Sequence, residues 1–103
     1  METNLIIDPT ELDLIREVMD RFNKSIWTTK DGHEIHVSKM TSIHIFHAVI
    51  LLKTRLNSIK VHNPAITDVS FHQDWIVKLM EELQSRNTKK SKSLYVLLLL
   101  GNT

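Results

Sequence analysis

The sequence predicts an α+β fold: a small, mostly helical domain with an N-terminal helix, one β-hairpin and two or three further helices. Three observations point there. Apolar residues recur at helical spacing in three separate stretches. One short run rich in β-branched residues is interrupted by Asp31-Gly32. The chain has 103 residues, 42% hydrophobic and 24% charged, which suits a single core spanning 1–103 and is too apolar for disorder.

The first helix is expected over 8–23. Asp8 can accept from the free amides of the first turn, Pro9 suits the first helical position, and Glu11 can reach back to the cap. Leu12, Ile15, Met19 and Phe22 form a narrow apolar stripe, backed by Leu14 and Val18. Asp13, Arg16, Glu17, Asp20 and Arg21 face away from it.

The hairpin is expected over 25–38. A two-residue Asp-Gly turn would set Trp27 across from His36 and leave Ile35 and Val37 on the opposite face. A three-residue loop, Lys30-Asp31-Gly32 with Gly32 left-handed, pairs Trp27 with Ile35 and gathers the large apolar groups on one buried face. Burial favours the second register.

A central helix over 41–58 is capped by Thr41 or Ser38. Its seam is Ile45, Val49, Leu52, Leu56 and Ile59, and Ile43, Phe46, Ile50 and Leu51 widen the apolar surface past one stripe. "VHNPAITDVS" reads as a linker, because Asn63 precedes a proline, and Asp68 or Ser70 can cap the next helix. That third helix, 70–86, presents Phe71, Trp75, Leu79 and Leu83 at spacings of four. "NTKKSKS" reads as a solvated connector. The apolar segment 94–100 is a fourth helix or a strand on the hairpin edge, since seven residues do not settle a period. It must be covered, by the chain itself or by a second copy, and a symmetric homodimer is the expectation.

Composition narrows the functional classes. Net charge is +1, so nothing global argues for a nucleic-acid binder; the one basic run is Lys89, Lys90 and Lys92. Without cysteine there are no disulfides, thiolate metal sites or cysteine nucleophile. "METNLII" lacks the pattern of a secretory leader, and no window reaches the ~18 apolar residues of a membrane span. A soluble, cytoplasmic chain is expected, with no membrane partner.

Trp27-Thr28-Thr29, Asp31-Gly32, Ile35, Val37, Met40-Thr41 and His44 together form a recognisable pattern, and "DWIVKLMEELQSR" carries Trp75, Glu82, Leu83 and Arg86. Over residues 25 to 86 this resembles small uncharacterised proteins of tailed phages and prophages. The resemblance implies a viral accessory role in the host cytoplasm. It brings no biochemical activity with it.

The chemistry-bearing residues are weighed on that background. Six histidines are present, but His33 and His36 point to opposite faces of a strand, and only His44 and His47 share a helix face. That is too few for a metal site, so neither metal nor cofactor is expected. With Thr41 as cap, the His44 ring can bond back to it. Glu34 and His36 share a strand face and could be neighbours as acid and base, but a solvated outer face of the hairpin is the favoured reading. No GxSxG or phosphate-cradling glycine pattern occurs. No catalytic residues are assigned, and Trp27, Gly32, Met40, Thr41, His44 and Trp75 are expected to build the scaffold. The reading is a non-enzymatic binding protein that blocks a host protein. A nucleic-acid or nucleotide binder using Lys24, Lys30, His33 and the basic run is the first alternative, a histidine metalloprotein the second.

Overall fold

A computed structural model describes residues 9–62 and 70–101. Among the described residues there are four helices and one two-stranded antiparallel hairpin: α1 Pro9–Asn23, β1 Ile26–Thr28, β2 Glu34–His36, a 3-10 turn Val37–Lys39, α2 Ser42–His62, α3 Ser70–Ser85 and α4 Lys89–Leu100. The fold is α+β and mostly helical. Two compact units divide between His36 and Val37.

In the first unit, α1 packs on β1. Its expected stripe is open: Leu12, Ile15 and Met19 are exposed, as are Leu14 and Val18. The Asp8 cap lies outside the described residues. At the far end of α1, Lys24 N–H donates to Asp20 O at 3.0 Å and Ser25 N–H to Phe22 O at 3.0 Å. The chain then reverses with Ser25 at φ 60°, a conformation that costs any residue with a Cβ.

The hairpin adopts the three-residue loop. Trp27 pairs with Ile35, Ile26 with His36 and Thr28 with Glu34, and Gly32 has φ 87°. Thr29 closes the loop three ways: its N–H donates to His33 O (2.8 Å), its carbonyl accepts from Gly32 N–H (2.9 Å), and its Oγ1 accepts from His33 N–H (3.1 Å). The expected buried face is only half-buried at Trp27 and Ile35. Strands of three residues in a lone two-stranded ribbon cannot enclose their own side chains.

The second unit is three helices. α2 packs against both α3 and α4, which also pack on each other, and the 3-10 turn rests on α3. The core is Ile45, Ala48, Val49 and Leu52 from α2, Trp75, Leu79 and Leu83 from α3, Leu94 and Leu98 from α4, with Val37 and Met40 closing one end. Leu56 and Ile59 are half-buried, whereas Ile43, Ile50 and Leu51 stay exposed. The α2 helix runs four residues past its expected end and keeps an open apolar flank. The Asn63-Pro64 linker lies outside the described residues.

The expected connector before residue 94 is corrected. Thr88, with φ −123° and ψ 151°, accepts from Ser91 N–H through its side chain, and α4 begins at Lys89. The basic run is thus helical, and segment 94–100 is helix rather than strand. Ser91, Leu94 and Leu98, at spacings of three and four, form its buried seam. Of the rest of the run, Tyr95 is half-buried and Val96, Leu97, Leu99 and Leu100 are exposed. Among the described residues no helix is long and apolar enough to cross a membrane.

Candidate docking groove

The six scaffold candidates divide between the units. Trp27 and Gly32 shape the hairpin of the first. Met40 and Trp75 are core residues of the second, 2% and 7% exposed. Thr41 is the cap of α2: its Oγ1 accepts from the His44 backbone N–H at 3.2 Å. The His44 ring, expected to reach back to that cap, makes no hydrogen bond among the described residues; the main-chain amide takes that role instead.

Glu34, weighed with His36 as an acid–base pair, is engaged by an arginine of α1. Glu34 accepts from Arg21 Nε at 2.6 Å, which ties β2 to α1. Asp31 and the His33 ring come within 3.9 Å, both largely exposed. His47 lies against the Phe46 ring, centroids 5.9 Å apart. Among the described residues no three His, Asp or Glu side chains converge as a metal site.

Two features of the second unit escaped the sequence reading. The first is a polar clasp. Ser91 is 1% exposed, its hydroxyl 2.5 Å from that of Ser42 and 2.8 Å from Thr88 Oγ1, which donates to it. Arg86 completes the set: Nη1 donates to Ser42 Oγ (3.1 Å), Nη2 to the Val37 carbonyl (3.2 Å), and Nε to Glu82 (3.0 Å). The starts of α2 and α4 and the end of α3 meet there. The one legible signal was Thr88-x-x-Ser91, a cap spacing just before an apolar run.

The second is a groove between α2 and α4, about 390 Å³, lined by Phe46, Ile50, Lys53 and Asn57 of α2 with Leu97 and Leu98 of α4. The helices run parallel, Ser42 beside Ser91 at one end and Lys53 beside Leu98 at the other. Lys53 Nζ donates to the Leu98 carbonyl at 3.0 Å, satisfying one of the free carbonyls at the α4 terminus. Gly101 closes that end, donating to Leu97 O at 2.8 Å, and a Cβ there would sit 2.9 Å from the same oxygen. Phe46, Ile50, Lys53 and Asn57 recur at four, three and four, so one α2 stripe forms a wall. The volume falls within the ~300–1,000 Å³ of ligand pockets, and its walls, which also include Thr54, carry no carboxylate and no histidine. Such a groove can hold a ligand.

Comparison with protein-family models, curated proteins and solved structures finds no match for this chain.

Proposed function

We propose that this chain is a small phage-encoded accessory protein that acts in the host cytoplasm by binding a host protein and blocking it. The observation that carries the reading is the open apolar surface of the second unit. Leu97 and Leu100 are 55% and 72% exposed, and Ile50 stands across the groove at 43%. A contiguous apolar surface rimmed by polar groups is how interaction sites present themselves. The residue pattern over 25–86 supports the viral setting.

Capture tests this. Tagged protein is passed through bacterial lysate with and without nuclease treatment, retained proteins are identified by mass spectrometry, and the main one is purified and titrated by calorimetry. A saturable complex with one host protein is the expected result. Retention of nothing above the tag-only control, or retention that nuclease abolishes, overturns the reading.

A further inference from the structure

The α2–α4 groove has a charge pattern as well as an apolar floor. α2 and α4 together carry Lys53, Arg55, Lys60, Lys89, Lys90 and Lys92 and not one carboxylate; Asp74, Glu81 and Glu82 are on α3, which supplies no wall. Two cations are placed to flank the floor. Lys53 stands at its far end, where the bond to Leu98 O uses one of the three ammonium donors. Lys90 is exposed one heptad before Leu97, on the same face of α4. Between the two levels lie Phe46, Ile50 and Leu97, over about 12 Å of helix axis.

We propose that this groove is the docking site for an acidic amphipathic helix of the partner protein, an inference that rests on the binding function above. A helix laid along α2 and α4 would set apolar residues at i, i+3, i+4 and i+7 against Ile50, Leu97 and Leu100. Carboxylates about two turns apart on it would meet Lys90 and Lys53. The observations favour this occupant over two others. A second copy brings the same cations, so a two-fold pairing of this face would oppose like charges. A nucleic-acid backbone would meet the lysines but leave the apolar floor unused.

The test is an unbiased selection. A display library of helical peptides, roughly 14–16 residues or four turns, is panned against the immobilised full chain, and the winners are measured by fluorescence anisotropy. Net-negative winners with apolar residues at i, i+3 or i+4, and i+7 are expected. They should bind Leu97→Glu roughly tenfold more weakly or worse, with the fold of this surface variant verified by circular dichroism. Lys53→Glu combined with Lys90→Glu should weaken acidic winners similarly while sparing versions whose flanking carboxylates are replaced by glutamine. Neutral or basic winners, no enrichment at all, or affinity indifferent to both variants overturns the assignment. So does a concentration-dependent dimer in light scattering that Leu97→Glu dissolves, because the groove is then a self-interface. The two readings fail separately. If Leu97→Glu still captures the host protein, binding stands and the groove assignment falls; if neither chain captures anything, the function itself falls.

Discussion

Ser42 and Ser91, forty-nine positions apart, meet hydroxyl to hydroxyl at 2.5 Å where the starts of two parallel helices converge. Either oxygen can be the donor, but the neighbours favour one direction. Thr88 already donates to Ser91, and Arg86 already donates to Ser42. A relay from Thr88 through Ser91 to Ser42 satisfies each oxygen without opposing two protons. Such a buried network stabilises only while complete.

Ser91→Ala tests it most directly. The variant leaves Thr88 and Ser42 without a shared partner inside the unit, for a loss of about 1–3 kcal/mol. Urea denaturation should show a lower midpoint with an unchanged slope. An unaltered midpoint would mean that the hydroxyl contributes nothing.

Arg86 spreads a planar fork over Glu82, Ser42 and the Val37 and Ser38 carbonyls. Arg86→Lys keeps the charge and should still lose stability, because one ammonium cannot reach Glu82, Ser42 and the Val37 carbonyl together. We expect Arg86→Lys to lie nearer Arg86→Met than wild type in thermal melting. Equality of the lysine variant with wild type would reduce the fork to a simple charge.

Gly32 sits at φ 87° with open space where a Cβ would point, so replacement meets strain and no clash. Gly32→Val should weaken the hairpin by at least ~1–2 kcal/mol, the cost of a left-handed backbone for a residue with a side chain. Faster amide hydrogen exchange at Thr29 and Gly32 is the readout.

Ser25 is the mirror case, a side chain already held at φ 60°. Ser25→Gly relieves that conformation and should raise stability by up to about 1 kcal/mol. Its melting temperature decides; a fall would show that the serine side chain contributes more than the strain costs.

A chain ending at Arg86 loses Ser91, Leu94 and Leu98 from the helical core. Burial of one leucine is worth ~1.5–3 kcal/mol, enough for the loss to unfold a small unit. Flattened far-UV circular dichroism of the shortened chain is expected. A native-like spectrum would show that α4 is an appendage.

What the sequence by itself determined is local. Proline and threonine starts, the stripes of α1 and α3 and the Asp31-Gly32 turn all act within a few residues, so spacing alone exposes them. The Trp27–Ile35 register was legible too, since a one-residue slip flips every side chain and only one choice gathers the apolar ones. Residues 89–100 mark where this ends. Seven apolar residues fit helix or strand equally, and the capping bond at Thr88 with packing against α2 and α3 decided for helix. Tertiary structure alone brought Ser42, Arg86 and Ser91 together. It alone set Lys53 against Leu98, because a groove belongs to two helices whose residues are some forty-five positions apart. Hydrophobic periodicity reports which face of a helix is apolar; only the packing of the other helices decides how much of that face remains open.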